Sequence, residues 1–200
     1  MLKLGLLFQD HMMLQRGKRI PVWGMAIAGS DVTITVQRKT EVCRTEADGC
    51  WSASIGPLDA SFKETVLICS GDETIRLTDV QVGDVYLAAG QSNMEFYMRY
   101  DADFAIERES CENDSIRFFD YPEVSYPGQI NEAEYSRNFG FWRKAAPDQL
   151  QWFSAPAYYF AKQIQAKYRI PVGLVGCNWG GTPACAWMSD EAIVEGGGKR

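Results

Sequence analysis

The chain has 200 residues, 46% hydrophobic, 23% charged and 12% aromatic, which suits one large or two small folded domains and excludes intrinsic disorder. Its 20 basic and 26 acidic residues leave a net charge of −6 with no basic run longer than two, so nucleic acid is not an expected partner. No apolar stretch approaches the roughly 18 residues of a membrane span, and no membrane partner is expected.

The first eighty residues carry β patterning. Over 31–37 the apolar Val32, Ile34 and Val36 alternate with Thr33, Thr35 and Gln37, the period-2 mark of a half-buried strand. Trp51, Ala53 and Ile55 repeat the pattern after Asp48-Gly49, a hairpin signal. Residues 65–70 and 74–80 flank a second turn at Gly71-Asp72. Short strands with turns about every ten residues predict a small β-sandwich over residues 1–81.

The character changes near Val82. Residues 84–89 are apolar without alternation and run directly into Gly90, as in a strand buried on both faces of a parallel sheet. Residues 121–149 read as a long loop with three prolines. Over 152–168 apolar residues recur at helical spacing, with Ser154 as N-cap and Pro156 in the first turn. A second buried strand follows over 171–177. Strand, helix and strand in this order predict a doubly wound α/β domain over 82–200.

Six cysteines, at 43, 50, 69, 111, 177 and 185, contain no CxxC pair. A structural zinc knot is therefore not expected; no cofactor is expected. The thiols read as mostly reduced, with Cys43 open to contact with Cys69 or Cys50 in the N-terminal sheet. The N-terminal ten residues are too short for a signal peptide. The expected location is the cytoplasm, with secretion or the periplasm after leader removal as the alternative.

Ser92 lies in Gly90-Gln91-Ser92-Asn93-Met94, straight after the strand 84–89. A serine at a strand-to-helix turn stands where free helical N–H groups can stabilise an oxyanion; its ordinary alternative role is to cap a helix starting near Asn93. Asn178-Trp179-Gly180-Gly181-Thr182-Pro183 ends the second strand. Two glycines there let an amide approach a ligand closely, or simply make a tight turn. His11 is the single histidine, and nothing in its segment places it near Ser92, so it reads as a structural or surface residue. Glu95 reads as a helix-terminal carboxylate, and Asn113-Asp114-Ser115 as a short glycosylation pattern of low specificity. The six tryptophans read as mostly core, with Trp179 the one candidate for a ligand-facing platform.

Three blocks in order, residues 90–95, 170–175 with 179–183, and Ala186-Trp187-Met188, resemble the sialate O-acetylesterase family of SGNH-type hydrolases. The opening Leu7-Phe8, Asp10, Met13-Leu14-Gln15-Arg16 and Pro21-Val22-Trp23-Gly24 are similar to that family's first β-domain, and residues 77–85 to its approach to the nucleophile. The resemblance implies a β-sandwich-like N-terminal domain followed by the first part of a flavodoxin-like, three-layer SGNH hydrolase domain. It implies metal-free hydrolysis of acetyl esters on sialic acids or other acetylated carbohydrates. Ser92 would be the nucleophile, and Gly180 or Gly181 would supply an oxyanion amide beside Gln91, Asn93 and Trp179. The family's catalytic His and Asp, in an Asp-x-x-His motif, and its Gln-Gly-Glu block are not in this chain. The chain is therefore expected to be an N-terminal portion, inactive alone and prone to self-association through an incomplete sheet. The competing expectation is a carbohydrate-binding or interaction module with a vestigial hydrolase half.

Overall fold

A computed structural model of the chain describes residues 1–124 and 139–197. Among these residues the strands form two sheets. The smaller joins β1 (Lys3–Leu4), β3 (Ile20–Met25) and β6 (Cys50–Ile55). The larger also uses β2 (Met13–Gln15), β4 (Asp31–Val36), β5 (Lys39–Arg44), β7 (Ser61–Ser70), β8 (Glu73–Gly90), β9 (Asn113–Asp120), β10 (Trp142–Ala145) and β11 (Val172–Asn178), in the order β10-β9-β11-β8-β7-β4-β5, with β2 beside β8. The result is a mixed sheet with few helices.

The alternation in β4 decides its orientation: Val32, Ile34 and Val36 are at most 1% exposed. They meet Val22, Trp51 and Ile55 of the smaller sheet and Ile68 of β7 in one core. Each such side chain contributes about 1.5–3 kcal/mol by leaving water. The Asp48-Gly49 turn does not close a hairpin. β5 belongs to the larger sheet and β6 pairs with β3, so the turn carries the chain from one sheet to the other, letting Trp51 and Ile55 face β4. Gly71-Asp72 does connect an antiparallel pair, with Ser70 opposite Glu73. All six cysteines are free. Cys43 and Cys69 flank β4 on opposite sides, two strand spacings or about 9.6 Å apart, and Cys50 is in the other sheet.

Strand β8 runs unbroken through the expected boundary at 81/82. What changes there is its partner: antiparallel β7 up to Val82, parallel β11 from Asp84 to Gly90. The expectation of burial on both faces fails here. Ala88 is buried, but Leu87 is 67% exposed, because from Asp84 to Gly90 β8 pairs only with β11 among the described residues. β11 pairs with both β8 and β9, and its Val172 and Leu174 are buried.

Helix α3 (Ala155–Tyr168) starts at Ser154, whose hydroxyl accepts the Ala157 amide at 3.4 Å, with proline in the first turn. Its Ala157, Tyr158 and Ala161 pack on Phe118 and Leu174 in a second core. The other sheet face is covered by the N-terminal segment, not by helices. Met13 comes so close that a Cβ at Gly173 would lie 2.6 Å from its Cβ, which is why that position excludes a side chain. Part of the expected 121–149 loop is strand: β10 pairs antiparallel with β9. Residues 125–138 of that loop lie outside the described residues.

A charged node ties these parts together. Arg117 on β9 is fully buried and pairs with Asp79 at 3.0 Å, while its Nη1 also donates to the carbonyl of His11 at 2.8 Å. Lys144 Nζ and His11 Nδ1 reach the other Asp79 oxygen at 2.7 and 2.6 Å. Burial raises the Asp79 carboxyl, but Lys144, His11 and Arg117 outweigh it and hold it well below the usual carboxylate range.

Candidate functional site

Three parallel strands end together at Gly90, Asp120 and Asn178, the edge where α/β sheets gather ligands. Helix α1 (Ser92–Glu95) begins two residues past the end of β8. Ser92 is its first helical residue and not its cap; Gln91 holds the cap position without a side-chain cap bond. The Gln91 carbonyl accepts the Met94 and Glu95 amides at 2.9 and 3.0 Å. The Ser92 and Asn93 amides are left as free first-turn donors among the described residues, as helix starts require. The Ser92 hydroxyl is exposed and has no hydrogen-bond partner among them.

The turn after β11 faces it. Trp179 donates its amide to Gly90 at 3.1 Å, and the Gln91 side chain donates to the Thr182 carbonyl, so both loops are stitched together. A Cβ at Gly180 would stand 3.4 Å from Ser92 Oγ and 2.5 Å from Glu95 Oε2. A side chain there would have to push the Glu95 carboxylate end aside. Gly181 is the residue in the left-handed region, at φ +77°, where side chains are strained.

One expected role is changed by this geometry. The Gly180 amide is not free: it donates to the Glu95 carboxylate. Glu95 is thus more than a helix-terminal charge, since it occupies the amide that an oxyanion would need. Gln91 ties the two loops, Asn93 contributes an amide, and Trp179 is half-buried in the cleft wall.

The cleft beside this turn has a volume of about 320 Å³ and is walled by Trp179, Trp187, Tyr121 and Glu123. Trp187 Nε1 donates to Thr182 Oγ1 at 2.9 Å, and Thr182 Oγ1 to the Trp179 carbonyl at 2.8 Å, a chain that ties the Trp187 indole to the Trp179 backbone. The tryptophans are not mostly core: Trp51 and Trp142 are buried, whereas Trp23 and Trp187 are 41% and 42% exposed. Trp187 was legible only as part of the family-like block, because nothing in its local pattern marks exposure.

Beneath the cleft Asp120 is buried and accepts the Tyr97 hydroxyl at 3.0 Å. Burial pushes the Asp120 carboxyl up to about 7 and the Tyr97 phenol above its ordinary range. Burial raises Glu123 too, with Glu95 adding repulsion. This acidic edge escaped sequence reasoning, since Asp120, Glu123 and Glu95 converge only when β9 and β8 end level on either side of β11. His11 lies elsewhere. Its partner Asp79 is eleven residues before Gly90 on β8, roughly 30 Å or more along a strand, and its imidazole binds that carboxylate.

Among the described residues no group of three or more His, Cys, Asp or Glu is suited to a metal, and no helix is long and apolar enough to cross a membrane. The arrangement offers a free hydroxyl, first-turn amides and a glycine turn, which is equipment for attack on an ester carbonyl.

The chain is similar to known carbohydrate acetylesterases. Rat sialate O-acetylesterase is 26% identical over 201 residues, covering 92% of this chain and 37% of its own length. Human sialate O-acetylesterase is 25% identical over 190 residues, covering 86% and 36%. The chain thus spans little more than a third of these curated relatives. The crystal structure of a carbohydrate acetylesterase from Xanthomonas citri superposes with a TM-score of 0.86 at 28% identity, over 96% of this chain and 44% of that one. A family profile described as carbohydrate esterase, sialic acid-specific acetylesterase, matches residues 82–195. That span is more than half of the chain, and the protein belongs to this family of carbohydrate esterases.

Proposed function

We propose that the chain carries the nucleophile side of a serine esterase that removes O-acetyl groups from carbohydrates. The observation that carries this is Ser92: an exposed hydroxyl without a partner among the described residues, at the carboxyl end of β8, facing the Gly180-Gly181 turn of a family esterase. The second core, drawn only from residues after 82, supports reading 82–200 as the first part of an SGNH-type domain, while the first core, under a sandwich-like 1–81, also takes in Phe119 and Trp142. Family membership does not favour a purely sugar-binding module.

In this reading Ser92 Oγ attacks the acetyl carbonyl carbon, and the negative charge on its oxygen is held by the Ser92 and Asn93 amides and the Gly181 turn. Collapse expels the sugar hydroxyl, and water then releases acetate from the acyl-serine. The Gly180 amide joins only when Glu95 swings off it, since a carboxylate there repels an oxyanion. A base takes the Ser92 proton and passes it to the departing sugar oxygen; His11 is held by Asp79, and the resemblance assigns that base to the histidine of the Asp-x-x-His motif. The edge of β8 that has no partner strand among the described residues, with the exposed Leu87 on it, supports self-association of the isolated chain. The test is Ser92→Ala in the full-length protein, assayed on an acetylated sugar. A loss on the order of 10⁶ in kcat is expected; activity within tenfold of the parent overturns the assignment.

A further inference from the structure

Just past α1 the chain pairs Tyr97 with Ser154 at the start of α3 and forms a 3-10 turn over Met98–Tyr100. Arg99 in that turn is enclosed by rings. Its guanidinium carbon lies 4.5 Å from the centroid of Tyr97, 4.8 Å from Tyr100 and 4.6 Å from Trp152. Among the described residues no carboxylate pairs with it, and its guanidinium N–H groups donate to no protein acceptor. Nearby acids are otherwise engaged. Asp101 accepts the Tyr159 hydroxyl and the Asp103 amide, both at 2.9 Å, and Asp120 accepts Tyr97.

An ordinary surface arginine is a flexible cation that loses rotamer entropy whenever it binds. Arg99 has given up part of that freedom already, because three rings crowd its guanidinium, whose planar donor fork matches a carboxylate bidentately. The site is also accessible, since Arg99 is only partly buried and Tyr100 and Phe96 are 61% and 42% exposed. Tyr100 and Phe96, with centroids 6.1 Å apart, offer apolar faces for a sugar ring. Arg143, over the same Trp152 at 5.5 Å, is only 3% exposed; it adds positive potential without touching a ligand.

The placement relative to Ser92 gives this cation a direction. Helical and 3-10 stretches shorten the path, so Arg99 and Ser92 are separated by at most roughly 17 Å of chain. Beside Ser92 stand the carboxylates Glu95 and Glu123; at the other end Arg99 and Arg143 share Trp152, with Asp101 and Asp120 already engaged by Tyr159 and Tyr97. An anionic sugar meets carboxylates at the Ser92 end and the ring-stacked Arg99 guanidinium at the other. We infer that Arg99, clamped by Tyr97, Tyr100 and Trp152, is a specificity residue that binds the carboxylate of an acidic sugar and so directs its acetyl end toward Ser92. The acetyl half of this statement rests on the proposed esterase function; the carboxylate half does not.

The experiment is binding of N-acetylneuraminate and of glucuronate, each against its methyl ester, to the 200-residue chain by calorimetry, with the Arg99 Nε–H and Trp152 Nε1–H resonances followed by NMR. At least one acid should bind saturably, shift both resonances and bind at least about tenfold more tightly than its ester. The acid with the larger ratio identifies the sugar class. Arg99→Gln should bring the acid down to the ester's level, and Arg99→Lys should recover only part, as a point charge lacks the fork. Equal binding of acid and ester, absence of saturable binding by both acids, or an unchanged ratio in Arg99→Gln would overturn the inference. The wild-type acid-to-ester ratio decides even where a variant fails to fold. The same ratio in Ser92→Ala keeps the two readings apart, because failure of Ser92 as nucleophile leaves it unaltered.

Discussion

Replacing Asp79 by Asn removes one charge from the node joining the N-terminal segment to β8, β9 and β10, and little else. Asp79 sits at φ +52°, a left-handed conformation that Asn tolerates as well as Asp, so the backbone is not newly strained. Its partner Arg117 has a side-chain exposure of 0%, against 29% for Asp79. Breaking one side of a buried pair costs about 3–5 kcal/mol. The Asn oxygen can still accept from Arg117 and water reaches the site, so we expect about 2–3 kcal/mol. The pH dependence follows from the carboxyl being held below its ordinary range. A folded-state value below the unfolded value of about 3.9 means the stabilisation is complete above about pH 5 and is lost as pH falls below 4. Urea denaturation followed by tryptophan fluorescence, on parent and variant from pH 7 to pH 3, reads both effects. A gap under about 0.5 kcal/mol at pH 7, or one that stays constant into acid, would refute the reasoning.

Gly181→Val forces a branched side chain into a left-handed position and should lower kcat of the full-length protein by about 10²–10³ with little change in KM; an effect confined to KM would make the turn a binding element only. Asp120 has the opposite sign to Asp79: burial raises it to about 7, so its contribution is complete below about pH 4 and lost as pH rises through 7. Asp120→Asn should therefore stabilise the fold by about 2–3 kcal/mol at pH 8 and by nothing below pH 4 in urea titrations, and equal stability at pH 8 would count against the buried charge. The 200-residue chain alone should turn over p-nitrophenyl acetate negligibly, and robust hydrolysis that vanishes with His11→Ala would make His11 the base after all.

What was legible in the sequence was whatever local pattern controls. Alternation marked β4 and β6, glycine and aspartate marked the β7–β8 turn, and Ser154 with Pro156 marked the start of α3, because period and capping act over a few residues. The serine and glycine turns of the site were legible as loops at strand ends for the same reason. Strand pairing was not: the Asp48-Gly49 turn changes sheets instead of closing a hairpin, a choice made by which core Trp51 and Ile55 fill. Nor was the burial of 84–89, since Leu87 is covered or bare according to what lies beside β8. Glu95 on the Gly180 amide, Asp120 beneath Tyr97 and Arg99 on three rings join residues that no short-range rule relates. Hydrogen bonds, charge pairs and ring stacking depend on distances of a few ångströms between remote segments, and those distances exist only once the sheet is assembled.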